Sequence, residues 1–288
     1  GYFFDIEYVK MVDRALTNHL RDPYDSTPIE QGIGVYYTNL IYGDIDFAVI
    51  EDRKFKSGPK GKIPQQGPRP DHIRNAEYDP GSIDLEGLSL LGDRQLHFLK
   101  NWGEKKGKSA MKAVLSQTGF CGGAHLHGTK ENRLHADLDS NGWPQKGRNE
   151  ALKLIKKANA VHIAGDQHLS TVIHHGINKY EDGPWAFIVP AIVNDYYSRW
   201  WWPENEKPGN NSNKLLPWNG RYLDGFNNKI TMHAYANPDS DSSGSGYGII
   251  KFNKGDSSVT FECWPRYQDV RKLNAKQFRG WPITVSID

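Results

Sequence analysis

Twice in this chain a helical pattern runs straight into a short apolar strand that ends in a polar loop. No other feature constrains the fold as much. In "LGDRQLHFLKNWGEKK" (91–106), Leu91, Gln95, Leu96, Phe98, Leu99 and Trp102 fall on or near one helical face, and "AMKAVLSQ" follows as a short buried strand. In "KGRNEALKLIKKAN" (146–159) a second amphipathic helix leads to the strand "AVHIA". Such alternation predicts a layered α/β fold whose sites lie where strands end.

The flanks add to this plan. Ile6, Val9, Met11, Val12, Ala15, Leu16 and Leu20 recur at mostly helical spacing until Asp22-Pro23 stops the pattern. "GVYYTNLIYGDIDFAVIEDR" (34–53) reads as two strands around Tyr42-Gly43-Asp44, feeding a loop through charged residues. Residues 54–71, rich in Gly, Pro and Lys, predict a long surface loop. Beyond residue 177 the chain turns to short strands, "WAFIVPAIV", "KITMHAYA", "GYGIIKF" and "SVTFECWP", with a hairpin turn at 253–256. The C-terminal third is therefore expected to be β-rich, with loops at 203–220 and 237–246, all within a single domain over 1–288.

Composition narrows the partners. Lys and Arg number 36 against 34 Asp and Glu, so the basic excess that nucleic acids or anionic membranes demand is lacking. No apolar run approaches the roughly 18–20 residues of a membrane helix. Cys121 and Cys263 are the only cysteines, which excludes a disulfide scaffold and leaves a single bridge undecided.

The chemistry concentrates in "HIAGDQHLS". If "AVHIA" is a central strand, Gly165 turns the backbone sharply and Asp166 and His168 project together into the crevice at its end. An oxygen donor and an imidazole there suit one or two divalent metals that polarise a phosphoryl oxygen and generate hydroxide. The alternative is a capping Asp beside a surface His.

Five segments in order, "YGDIDFAVIEDRKFKSGP", "LGDRQLHFLKNW", "AVLSQTGF", "DLDSNGWPQKGRNEAL" and "HIAGDQHLS", resemble the later part of the PhoD-like alkaline phosphatases, a branch of the calcineurin-like metallophosphoesterases. The resemblance covers roughly residues 5–177. "YYSRWWWP" and "ECWPR…GWPIT" extend it toward a subgroup of predicted phosphatases. It implies part of a four-layer αββα sandwich, a phosphate ester substrate, calcium, iron, manganese or zinc as cofactor, and an exported or periplasmic location. It also implies metal-ligand roles for Asp166 and His168.

By the same resemblance Gln117 occupies the place of a metal-binding His, where a neutral amide is a poorer ligand. It then contacts substrate or water, or simply ends the strand. Asp139 is implied to orient a ligand His, and Arg148 to pair either with phosphate or on the helix surface. His125 and His127 have metal spacing in a glycine-rich loop. His162 reads as a core histidine. His174 and His175 point to opposite faces of a strand and cannot share one ion. The aromatics of 196–203 read as packing, with stacking on a ring or sugar as the alternative.

The family's earlier ligands, among them an Asp-Asp-His stretch, lie upstream of the hairpin, and nothing before residue 34 matches them. Asp5 and Asp13 sit on a helix without that pattern. The sequence thus predicts the C-terminal part of a metallophosphatase, inactive by itself. A metal-free binding module on the same scaffold is the other reading. Exposed sheet edges, and pairing of two copies through them, are expected with either.

Overall fold

The computed structural model describes residues 4–105, 107, 109–123, 134–192, 216–236 and 244–287. Helix α1 (Ile6–Thr17) is capped by Asp5, whose Oδ1 accepts from Glu7 N at 2.8 Å. Strands β1 (Thr38–Tyr42) and β2 (Ile45–Val49) form the expected hairpin. Its turn closes because Gly43 (φ +57°) and Asp44 (φ +66°) both adopt the left-handed conformation of a two-residue hairpin.

The loop after β2 is tethered along its length. Lys56 donates to the carbonyls of Leu138, Asp139 and Ser140 at 2.7–2.8 Å. Ile63 is buried with Ile73, Ile83, Leu138, Trp143 and Phe226 in a satellite core. Short β3 (His72–Ile73) then precedes α2 (Gly92–Glu104) and β4 (Met111–Thr118). Next come β5 (Ala136–Asp137), which pairs with β3, then α3 (Gln145–Lys157) and β6 (Ala160–Gly165).

The C-terminal part holds β7 (Thr171–His175), β8 (Trp185–Ile188), β9 (Gly220–Leu223), β10 (Lys229–Tyr235), β11 (Gly246–Asn253), β12 (Ser258–Pro265) and β13 (Ile283–Ser286). β7, β9 and β13 are not among the strands expected from the sequence. The loops expected at 203–220 and 237–246 lie largely outside the described residues.

One sheet of eight strands runs in the order β1-β2-β4-β6-β8-β7-β10-β9, and β2, β4, β6 and β8 are mutually parallel. Successive right-handed crossovers in one direction bring α2 and α3 to the same face. There Phe98, Leu99, Trp102, Leu152 and Ile155 bury against Ala48, Ile50, Val114 and Ala160. The other face packs against the small sheet β11-β12-β13, where Phe187 meets Phe261 and Trp281 at ring distances of 5.2 and 5.6 Å. The described residues thus supply three layers of the sandwich, helix, sheet and sheet. Full burial of each large apolar side chain contributes roughly 1.5–3 kcal/mol.

Candidate active site at the ends of three parallel strands

Because β2, β4 and β6 are parallel neighbours, their C-terminal ends open on one edge of the sheet. Val49 lies opposite Leu115, and Thr118 opposite Gly165. β4 is irregular here. Ser116 and Gln117 together span the single residue Ala164 between the pairs Leu115–Ile163 and Thr118–Gly165, which is a bulge. The bulge leaves the Gln117 side chain exposed at the rim.

The turn after β6 is made by Asp166 itself. Its φ is +67°, and Gln167 N donates to Gly165 O at 2.8 Å, so the bond closes a three-residue turn. Gly165 is not left-handed and stays in the ladder opposite Thr118, which corrects the turn role expected of it. A short Asp side chain tolerates this conformation better than most. The alternation beyond it is as expected: Asp166 is exposed, Gln167 turns inward to donate to Cys121 O at 2.6 Å, and His168 returns toward the surface, half-buried.

Around Asp166 the strand ends are cross-linked. Thr118 Oγ1 donates to Asp166 Oδ2 at 3.1 Å, while Thr118 N donates to Asp52 Oδ2 at 2.9 Å. Asn141 Nδ2 donates to the same Asp52 oxygen. Arg53 reaches across with Nη1 2.6 Å from Asp139 O, and Nη2 3.2 Å from Asp139 Oδ2 and 3.8 Å from Asp166 Oδ2. Arg53 thus bridges Asp139 and Asp166, and the side-chain partner of Asp139 is this guanidinium.

Burial pushes the Asp52 carboxyl above the usual carboxylate range, although the bond from Thr118 N opposes this. Burial, and next the charge of Arg53, lower the Lys56 ammonium to about 7.

Among the described residues, Asp52 Oδ1 and Asn141 Oδ1 are buried without a partner, and Asp166 Oδ1 accepts no hydrogen bond. Hard oxygen donors of this kind suit the cations that such a centre would take. Among the described residues, however, Asp52, Asp166 and His168 do not form a group of three ligand side chains close enough to hold an ion, and Arg53 stands beside Asp166 as a competing cation.

Arg148 lies elsewhere. It is 1% exposed, and it donates to Phe120 O (2.9 Å), Gly176 O (2.8 Å) and Asn149 Oδ1 (2.7 Å) while facing His175 Nδ1 at 3.3 Å. Its guanidinium ties loops together beneath the sheet and offers no face to a phosphate in solution. It does not pair on the helix surface either.

The other histidines sort by face. His162 is a core residue, as expected. Ser116 Oγ gives its one proton to Thr118 O, so the 2.7 Å contact to His162 Nε2 is a bond donated by the ring. Burial lowers its pKa to about 3. His175 is buried on the same side, whereas His174 stacks on Trp185 at 4.1 Å. His125, His127 and the aromatics of 196–203 lie outside the described residues. Cys121 and Cys263 are both buried free thiols. Asp5 caps α1, and Asp13 Oδ1 pairs with Lys54 Nζ at 2.6 Å.

Three side chains of metal-binding type that the sequence did not suggest also converge. Ligand atoms of Asp71, His72 and Asp137 lie within 4.8 Å of one another on the β3–β5 ribbon. Arg69 already forks onto both Asp71 oxygens, at 3.1 and 2.6 Å, and fills the cation's place. Sequence reasoning also missed Asp52, Arg53, Lys56 and Thr118. The "EDR" just after β2 carried the usable signal, because it is a third polar run leaving a parallel strand.

A structure of PhoD resembles the whole chain, with a TM-score of 0.54 and 14% identity, and this chain covers 49% of that one. The chain thus spans about half the length of that relative and shares its mixed α/β fold. A purple acid phosphatase from yellow lupin (Lupinus luteus) seeds matches over 90% of this chain and 34% of its own, at a TM-score of 0.43 and 10% identity. No curated protein matches the sequence. Residues 18–199, more than half of the chain, match the model of the PhoD-like phosphatases, and the chain belongs to that family.

Proposed function

We propose that the strand-end platform is part of the metal centre of a phosphoester hydrolase, with Asp166 and His168 as ligands to one calcium, iron, manganese or zinc ion. The observation that carries this reading is the convergence of Asp52, Thr118 and Asp166 at the ends of three adjacent parallel strands, with Asp166 held in a left-handed turn. A bound ion there would polarise the phosphoryl oxygen and lower the pKa of water. The chain's own residues do the rest. Thr118 fixes the Asp166 carboxylate, Arg53 and Asp139 set the charge beside it, and Gln117 lies at the rim where substrate or water enters.

With two ligands at the strand ends, that site holds at most one ion, and on this reading the chain turns over no phosphate ester at an enzymatic rate. Calorimetric titration with manganese or zinc checks this. His168→Ala should weaken binding by at least about tenfold. Metal-dependent hydrolysis of aryl phosphate mono- or diesters by this chain, abolished by His168→Ala, would defeat the claim of inactivity.

One observation favours the second reading, a metal-free binding module. Arg53 already places a cation 3.8 Å from Asp166. Arg53→Gln separates the two, because the first reading expects metal affinity to rise and the second expects no metal with or without it.

Export and self-association belong to the same proposal. Among the described residues no helix is long and apolar enough to cross a membrane. The sheet's edge strand β1 exposes Ile41 and Tyr42, which suits pairing of two copies. Light scattering that finds only monomer at high concentration removes the pairing, and fractionation that finds the protein inside its source cells removes export.

A further inference from the structure

Beside the strand ends lies a pocket of about 740 Å³, within the usual range for small-molecule sites, walled by the 53–60 loop, residues 69–71 and residues 138–139. Arg53, Lys54, Lys56, Lys60 and Arg69 line it against only two carboxylates, Asp71 and Asp139. Asp13 offsets Lys54, and Lys56 with its pKa of about 7 is only partly charged near neutral pH, so the excess is between one and two formal positive charges in one concavity. A cleft lined mainly by one sign focuses the field and concentrates counter-ions within it.

We infer that this pocket is a subsite for a second anionic group, so that the substrate class is a phosphate ester carrying another phosphate-type anion near the reacting one. The inference rests on the proposed function for the reacting phosphate, but the anion subsite has its own geometry.

Most of the cations are held in place. Lys54 is fixed by Asp13 and by Gly34 O at 2.8 Å, and Arg69 by its fork on Asp71. The partners of Lys56 are three backbone carbonyls, which orient its amine, although burial and the Arg53 charge lower its pKa to about 7 and leave it only partly charged near neutral pH. Lys60 is exposed and makes no hydrogen bond or ion pair among the described residues. Arg53 is common to the pocket wall and to the Asp166 end. A ligand with two anionic groups can therefore engage both regions. Cations already oriented lose little freedom when the anion arrives, which is the condition for selective binding.

The test uses the full chain, freed of metal by chelation and kept at low ionic strength, with pyrophosphate and inorganic phosphate as calorimetric probes. Pyrophosphate should bind at least about tenfold more tightly than phosphate, because its second group adds charge-assisted bonds. Lys60→Gln, at an exposed position that cannot disturb the fold, should weaken pyrophosphate about fivefold. Arg69→Gln should weaken it further. Lys272→Gln, outside the pocket, should change nothing.

Equal affinity for the two probes, or an equal loss in Lys60→Gln and Lys272→Gln, overturns the subsite. Metal titration of the same samples keeps the two claims apart. Metal binding without pyrophosphate selectivity removes only the subsite, whereas selectivity without metal binding removes only the metal centre.

Discussion

Helices α1 and α3 have the same kind of sequence, about three turns with apolar residues on one side, yet they meet different fates. α3 buries Ala151, Leu152 and Ile155 against the sheet, and α2 lies beside it with Phe98, Leu99 and Trp102 equally buried. α1 buries nothing: Leu16 is 65% exposed, and Tyr8, Val12 and Leu16 line an open groove of about 650 Å³ over Val49, Ile50 and Leu115. An apolar stripe thus specifies a helix that needs a partner surface, and only the tertiary arrangement supplies one.

The largest effect that can break this comparison is deletion of the buried stripe. Leu152→Ala should cost about 2–5 kcal/mol in urea unfolding, whereas Leu16→Ala should stay within about 0.5 kcal/mol. Equal losses would mean that α1 packs as α3 does.

A smaller effect sharpens the contrast between the buried face and the open groove. His162 is neutral when folded, with a pKa of about 3 against 6.5 for the free side chain. The unfolded chain therefore binds more protons between those values. The stability is fully present above pH 6.5 and is lost as pH falls toward 3, amounting to about 2 kcal/mol at pH 5. His162→Gln should flatten that part of the pH profile. An unchanged slope would shift the cause to His175, whose pKa is also depressed, first by burial and then by the Arg148 charge.

The smallest effect concerns the α1 cap. Asp5→Ala removes the bond to Glu7 N and should destabilise α1 by about 1 kcal/mol. Hydrogen exchange at the first-turn amides should quicken while the global unfolding midpoint stays put. A fall in the midpoint would show that α1 is coupled to the core.

The two strand-ending sites differ in the same way in how legible they were. Asp166 and His168 are two residues apart, close enough in sequence for spacing alone to single them out. Asp52 meets Thr118 and Asn141 across 66 and 89 residues, and no periodicity encodes such separations. Arg148 sits in a helix whose amphipathic pattern was plain. Its long side chain nevertheless runs under the sheet to Phe120 and Gly176, because those carbonyls need donors there.

By itself the sequence determined the alternation of helix and strand, the Gly43-Asp44 hairpin and the family. Each of these is written in local spacing and turn chemistry. Only the tertiary structure decided that β2, β4 and β6 are neighbours, that the 54–71 loop is tied down by Lys56 and walls a basic pocket, and that α1 keeps its apolar face in the open. These are outcomes of long-range pairing, in which burial and hydrogen-bond satisfaction choose among partners far apart in the chain.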